Sequence, residues 1–141
     1  MQVDPTSPIY QEFHRYLLIA HLLTQKQEAR KAGLKGLHYK LCVSLLRYTT
    51  EIRVDQAFYE AGQASRAIGN DHMAFVLLNR YLDLYDAIED PDSASLDNAL
   101  FEGTDIPSPY DVPLPEKNFL SVSQKDEVGD WVLQKNMDIG S

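Results

Sequence analysis

Two helix-period patterns, separated by Gly69-Asn70, occupy residues 55–90 and limit the folds that this chain can adopt. The first pattern places small residues beside Phe58, which leaves a narrow face that a second helix can approach closely. That face consists of Phe58, Ala61, Gly62, Ala64, Ser65 and Ile68. Asp55 is the predicted N-cap of this helix, and Asp71 can cap the next one. Because glycine or asparagine readily ends a helix, residues 55–90 are predicted to form an antiparallel hairpin.

The second helix of this hairpin carries a long apolar stripe. Its members are Ala74, Leu77, Leu78, Tyr81, Tyr85 and Ile88. An aromatic residue and a glycine on the first helix, followed by an alanine and a large apolar residue on the second, are typical of tetratricopeptide repeats. The predicted repeat-packing positions are Phe58, Gly62, Ala74 and Leu78. Because Ser65 and Tyr81 depart from that pattern, an antiparallel hairpin outside any repeat family remains an alternative.

Residues 8–50 predict another helical hairpin. Ser7-Pro8 suits the start of its first helix, which is predicted to continue to Gly33. Apolar residues on several faces of residues 16–23 require cover on more than one side. The stripe of its second helix is Leu34, Leu37, Leu41, Leu45 and Tyr48. Residues 1–90 are therefore predicted to be all-α, with stacked antiparallel hairpins that form a tetratricopeptide-like fragment of an α-solenoid.

The sequence changes character in residues 91–120, which contain five prolines. Proline holds φ near the extended value and lacks an N–H donor, so this segment cannot be the interior of a helix. Its apolar side chains predict an extended strap that lies across the helices. Residues 121–141 are predicted to form a C-terminal helix, with Ser121 and Gln124, or Ser123 and Asp126, as its cap. Its apolar side contains Val128, Trp131, Val132 and Leu133, with an interruption at Gly129-Asp130.

The charge of the chain is negative and unevenly distributed. The net charge is −8, because residues 1–50 carry 7 Lys/Arg and 3 Asp/Glu (+4), while residues 51–141 carry 6 and 18 (−12). This balance argues against nucleic acid as a partner, since phosphates are bound by clustered Lys and Arg. The single cysteine, Cys42, excludes an internal disulfide framework and suits a reducing compartment. Neither a membrane span nor a signal peptide is expected from the hydropathy pattern.

No residue combination in the sequence predicts catalysis, a cofactor, a metal site or a small-molecule substrate. His38 and Cys42 are one helical turn apart, but zinc requires three or four ligands and no further ligand is nearby. The motif scan finds no nucleophile elbow, phosphate-binding loop, dinucleotide fingerprint or zinc-protease motif. The sequence therefore predicts that the chain is not an enzyme.

An acidic cluster near the end of the predicted fourth helix is the main candidate interaction site. It consists of Asp83, Asp86, Glu89 and Asp90. A solvated helix face explains these residues, and so does contact with a basic surface on a partner protein. The predicted partner-binding residues are this cluster together with Ile106, Tyr110 and Trp131.

Several stretches of the sequence resemble the C-terminal region of the intraflagellar transport protein 172 family, the large peripheral subunits of intraflagellar transport complex B. They are FHRYLLIAHLL, VDQAFYEAGQASRAIGNDHMAFVLLNRYLDLYDAIED, DIPSPYDVPLPEK and EVGDWVLQKNMD. The resemblance implies a WD-repeat part, a long tetratricopeptide-type solenoid and a U-box-like end domain. This sequence contains neither the WD-repeat part nor the end domain.

The same resemblance implies a scaffold without catalytic residues that acts in cilium assembly, train assembly and turnaround. It implies other complex B subunits as partners, a contact with complex A, and a location in the cilium or flagellum and the cytoplasm near the basal body. An alternative function is an adaptor segment that positions a ubiquitin or E2-type partner for the missing end domain. A third possibility is a spacer that only stacks on neighbouring repeats.

Overall fold

The computed structural model describes residues 8–90 and 114–139, and within these ranges the fold is all-α. The α-helices are α1 (Pro8–Lys31), α2 (Lys35–Leu45), α3 (Val54–Ala67), α4 (Asp71–Glu89) and α5 (Val122–Ile139), and a 3₁₀ helix spans Leu46–Tyr48. Each helix packs against the next one along the chain. The all-α fold predicted from the sequence is thus confirmed for the described residues, and residues 91–113 lie outside them.

Two glycines produce the sharp turns that separate α1 from α2 and α3 from α4. Gly33 has φ 73° and Gly69 has φ 79°, in the left-handed region where a side chain would strain the backbone. At the end of α3, Asn70 N–H donates to the Ser65 carbonyl at 2.9 Å and Gly69 N–H donates to the Arg66 carbonyl at 3.1 Å. This pair of bonds is a Schellman motif, and it satisfies carbonyls that the end of the helix leaves without partners.

Two predicted helix caps are wrong. Asn70, and not Asp71, caps α4, because the Asn70 side chain accepts a hydrogen bond from Met73 N–H at 3.3 Å. α3 begins at Val54, so Asp55 lies inside its first turn and is fully buried. Asp55 Oδ1 accepts hydrogen bonds from Arg53 Nε at 2.7 Å and from Gln56 N–H at 2.9 Å, which compensate its burial.

The start of α5 follows the prediction, whereas its middle does not. Ser121 Oγ accepts a hydrogen bond from Gln124 N–H at 3.3 Å, and Gln124 Oε1 accepts one from Ser121 N–H at 3.1 Å. This reciprocal pair is a capping box. The predicted interruption at Gly129-Asp130 is wrong, because the helix is continuous from Val122 to Ile139. Burial of Val128 and Val132 against the core offsets the roughly 1 kcal/mol that glycine costs inside a helix.

The core is centred on α3 and α4, with contributions from α2 and α5. Its fully or nearly fully buried members include Cys42, Leu46, Val54, Phe58, Ala61, Leu77, Leu78, Tyr81, Leu84, Ala87 and Val128. The predicted stripe of α2 is partly wrong, because Leu34 and Leu37 are 53% and 45% exposed. Leu45 is buried as predicted, and so is the flanking Cys42. Ile68 and Leu133 are also exposed, contrary to prediction. Helical periodicity gives a face only to within about one residue, and the neighbouring helices decide which flanking positions are covered.

The first half of α1 exposes an apolar face. Ile9, Phe13 and Leu17 are 79%, 62% and 54% exposed, and Ile19 and Ala29 are the positions that α1 buries. The Arg15 guanidinium ties this half of α1 to the loop before α3, with Nε 2.6 Å from Glu51 Oε1. The apolar residues on several faces of α1 therefore find only partial cover among the described residues.

Candidate interaction site

Gly62 and Leu78, two of the four predicted repeat-packing residues, approach each other where α3 packs against α4. Phe58, Ala74 and Leu78 are buried, with exposures of 2%, 0% and 0%. A Cβ atom built on Gly62 would lie only 2.5 Å from Cγ of Leu78, well inside van der Waals contact. The absence of a side chain at Gly62 therefore lets the two helices approach closely.

The acidic cluster lies near the C-terminal end of α4, beside residues 114–120. Asp83 is half-buried, whereas Asp86, Glu89 and Asp90 are exposed. Glu89 Oε1 accepts a hydrogen bond from Asn118 Nδ2 at 2.7 Å, so one carboxylate of the cluster already contacts the segment that precedes α5. The predicted residues Ile106 and Tyr110 lie outside the described residues.

The described end of the predicted strap packs against the helical hairpin of α3 and α4. The Phe119 ring contacts Tyr59 at 5.6 Å between centroids and Tyr81 at 6.3 Å, both nearly edge-to-face. The Arg53 guanidinium lies 5.3 Å from the Phe119 centroid and also donates a hydrogen bond to the Lys117 carbonyl. Leu114 and Leu120 are partly buried against the core. Most of the predicted strap, residues 91–113, is outside the described ranges.

Arg53 connects this segment to a buried carboxylate. Its guanidinium pairs with Asp55, which is fully buried, while the Arg53 side chain is 34% exposed. Burial raises the pKa of the nearby Tyr81 hydroxyl, and the Asp55 carboxylate raises it further. Tyr81 therefore stays protonated at neutral pH.

Trp131 and Lys135 attach α5 to the preceding hairpin, Trp131 through Arg66 of α3 and Lys135 through Asp71 of α4. The Arg66 guanidinium lies 4.7 Å from the Trp131 ring centroid, and Lys135 Nζ lies 5.8 Å from it. Arg66 also pairs with Glu127 at 3.1 Å, and Lys135 pairs with Asp71 at 3.0 Å. Trp131 is half-buried within these contacts. Its partner-binding role, like that of the acidic cluster, remains a prediction.

A cleft between α1 and α3 is a further site, which the sequence reasoning missed. α2 packs against both helices and forms the floor, and two adjoining cavities of about 300 and 720 Å³ share Leu23, Lys26, Gln56 and Glu60 as lining residues. Lys26 Nζ lies 2.5 Å from Glu60 Oε2, across the cleft. Because these two residues belong to different hairpins, no spacing in the sequence indicates that they meet.

His38 and Cys42 lie on the α2 floor of this cleft, with 3.6 Å between Nε2 and Sγ. Burial raises the pKa of the Cys42 thiol to about 12. Burial also lowers the pKa of His38, and the nearby Lys26 lowers it further. At neutral pH the pair is thus a thiol beside a neutral imidazole, which does not provide a thiolate nucleophile. In the described ranges, no group of three or more His, Cys, Asp or Glu residues is placed to hold a metal ion.

These observations define a helical-hairpin segment whose prominent features are a charged edge and a cleft. No helix within residues 8–90 and 114–139 is both long and apolar enough to cross a membrane. No family model matches the chain. Individual relatives do match it, over nearly its whole length.

The chain is 46% identical over 136 residues to a protein named intraflagellar transport protein 172 homolog from Homo sapiens. It is 45% identical over 132 residues to intraflagellar transport protein 172 from Chlamydomonas reinhardtii, and 36% identical over 140 residues to intraflagellar transport protein osm-1 from Caenorhabditis elegans. These alignments cover 96%, 92% and 94% of the chain but only 8%, 7% and 8% of the relatives. The chain is therefore homologous to one segment of the intraflagellar transport protein 172 family, and the predicted resemblance to its C-terminal region is confirmed.

Proposed function

We propose that the chain is part of a non-enzymatic interaction scaffold in intraflagellar transport. It corresponds to the C-terminal part of a complex B subunit that is needed for cilium assembly, train assembly and turnaround. The observation that carries this proposal is the 46% identity over 136 residues, which extends across the helical hairpins and α5 alike. A site restricted to a short motif would not account for similarity along 96% of the chain.

The proposed architecture is a tetratricopeptide-like solenoid fragment in residues 1–90, a strap in residues 91–120 and a C-terminal helix that leads to a further domain. Close packing of Gly62 against Leu78 supports the repeat interpretation, because small residues at helix crossings are what stacked hairpins require. The contacts of Phe119 with Tyr59 and Tyr81 support a strap that packs on the helices.

The proposed partner surface is the junction between the end of α4 and the strap. The side chains of Asp86, Glu89 and Asp90 are exposed there, and Glu89 is held by Asn118. Asp83, Ile106, Tyr110 and Trp131 complete the proposed set. A basic surface on another intraflagellar transport subunit, of complex B or of complex A, would complement these carboxylates. The corresponding location is the cilium or flagellum and the cytoplasm near the basal body.

A pull-down of train components from ciliary extract tests this proposal. We expect the chain to enrich intraflagellar transport subunits, with an interaction that weakens as salt is raised. Neutralising the cluster with Asp83→Asn, Asp86→Asn, Glu89→Gln and Asp90→Asn should reduce the recovery and flatten its salt dependence. A matched control changes four exposed acidic residues elsewhere, Glu12, Glu28, Asp126 and Asp130, to their amides. Equal recovery with both variants would contradict the role of the cluster.

The same experiment addresses the alternative functions. An adaptor segment for a ubiquitin or E2-type partner would enrich ubiquitin or an E2-type protein without train components. A spacer would enrich neither. The names of the relatives favour the transport scaffold over the ubiquitin-related alternative.

A further inference from the structure

The cleft between α1 and α3 contains two adjoining cavities. Its walls come from two helices that α2 holds apart, and its larger cavity of about 720 Å³ lies within the range of natural binding pockets. The smaller cavity of about 300 Å³ continues it over Cys42, Leu45 and Ile52. The floor is therefore apolar at one end, while the rim is polar.

The polar rim is suited to hydrogen bonding with a peptide backbone. Gln27 on α1 and Gln56 and Gln63 on α3 all line the larger cavity. A glutamine side chain both donates and accepts hydrogen bonds, so such residues can pair with the N–H and C=O groups of an extended segment. Tyr59 on the same wall offers an aromatic surface beside them. These features favour an extended peptide as the occupant.

The charges in the larger cavity select the kind of peptide. Lys26 and Arg30 line it from α1, and His38 below them has a lowered pKa that keeps it neutral at pH 7. Glu60 is the one carboxylate among the residues that line the described cavity, and Lys26 already pairs with it. This local excess of positive charge contrasts with the net charge of −8 of the whole chain. Two cations are too few for a nucleic-acid phosphate backbone, but they suit the carboxylates of a peptide.

We propose that this cleft binds an extended acidic segment of a partner protein. Lys26 and Arg30 contact carboxylates of the segment, and Gln56 and Gln63 pair with its backbone. Glu60 acts as an internal competitor, because a carboxylate of the ligand must replace it at Lys26. This surface is separate from the acidic edge at the end of α4, and it would attract a partner of the opposite charge.

Fluorescence anisotropy with labelled nine-residue probes tests the proposal. The probes repeat Glu-Leu-Ser, Gln-Leu-Ser or Lys-Leu-Ser three times. We expect saturable binding of the Glu probe, with the Gln and Lys probes at least about fivefold weaker, since one ion pair of about 1 kcal/mol corresponds to that ratio. Absence of saturable binding, or equal binding of the three probes, would overturn the proposal.

Variants of the cleft give a sharper test. Lys26→Gln and Arg30→Gln should each weaken binding of the Glu probe by about fivefold, whereas Glu60→Gln should strengthen it, because the internal competitor is removed. Lys40→Gln is the matched control, since Lys40 is exposed on α2 and is not among the residues that line either cavity. Arg30 is exposed, so its variant should fold even if the loss of the Lys26–Glu60 pair disturbs the helices. Weaker binding to Glu60→Gln, or equal effects of Arg30→Gln and Lys40→Gln, would contradict the assignment.

Discussion

Replacement of Gly62 by alanine should destabilise the fold, although alanine is the better helix former. A Cβ atom at this position would lie 2.5 Å from Cγ of Leu78, whereas nonbonded carbon atoms prefer about 3.5–4.0 Å. Leu78 has 0% exposure, so its side chain cannot move away without disturbing the core. Overpacking of this kind typically costs about 1–3 kcal/mol, while alanine gains about 1 kcal/mol over glycine inside a helix. We expect a net loss of about 1 kcal/mol in the free energy of unfolding.

Gly129→Ala is the matched control, because Gly129 also lies inside a helix but an added Cβ would meet no atom within 4 Å. This variant should gain the full helix-propensity term of about 0.5–1 kcal/mol. The gain is common to both substitutions, so the difference between Gly62→Ala and Gly129→Ala isolates the steric cost, about 1–3 kcal/mol. For a chain of this size a loss of 1 kcal/mol lowers the melting temperature by about 4 °C.

The assay is urea unfolding, followed by circular dichroism of the helices and by fluorescence of Trp131. The midpoint of unfolding should fall for Gly62→Ala and rise for Gly129→Ala, without a change in the dependence on urea concentration. Leu78→Ala should cost about 2–5 kcal/mol by itself. In a Leu78→Ala background, where the side chain that would meet a Cβ atom at residue 62 is shortened, Gly62→Ala should stabilise the protein. The reasoning would be refuted if Gly62→Ala were as stable as Gly129→Ala.

Three further predictions follow from the caps, the thiol and the charges. Ser121→Ala should lower the free energy of unfolding by about 1 kcal/mol because it removes the cap of α5, whereas Ser123→Ala, at an exposed position two residues further on, should change it by less than about 0.5 kcal/mol in the same urea assay. Burial raises the pKa of the Cys42 thiol to about 12, so iodoacetamide at about pH 8 should modify it slowly in the native protein and rapidly in urea; rapid native labelling would argue against its burial. The hydrogen bond from Arg15 lowers the pKa of Glu51 below its ordinary value of 4.5, so the pair stabilises the fold above that pH and the effect disappears as the pH falls. Glu51→Gln should therefore cost less than about 1 kcal/mol at neutral pH and nothing in acid, as measured by thermal unfolding across pH, and a cost that grew in acid would contradict the sign.

Local signals in the sequence were reliable where one or two residues determine the conformation of the backbone. Gly69 ends α3 because only a residue without a side chain adopts its positive φ without strain, and Ser121 with Gln124 starts α5 through bonds within one turn. At Asp55, by contrast, the sequence predicts a cap that the structure does not contain. Asp55 looks like a cap in the sequence, but the docking of Arg53 makes its burial inside the first turn favourable.

The candidate sites were predictable only in part, because they depend on groups that are distant in the sequence. The acidic cluster on α4 is visible in the sequence as a group of carboxylates. Its contact with Asn118, however, depends on how the segment before α5 packs against α4. The cleft with Lys26 and Glu60 left no mark in the sequence, since its two walls belong to different hairpins that meet only through tertiary packing.

By itself, the sequence determined the helical class, the turns and the family, since helix periodicity, glycine conformations and ordered stretches of identity are properties of the chain read in order. The tertiary structure decided which face of each helix is buried, as the exposed Leu37 on α2 demonstrates. It also decided which charges meet, because an ion pair such as Lys26–Glu60 depends on distances that packing between hairpins sets. The physical reason is that backbone preferences act over a few residues, whereas burial and electrostatics act through space.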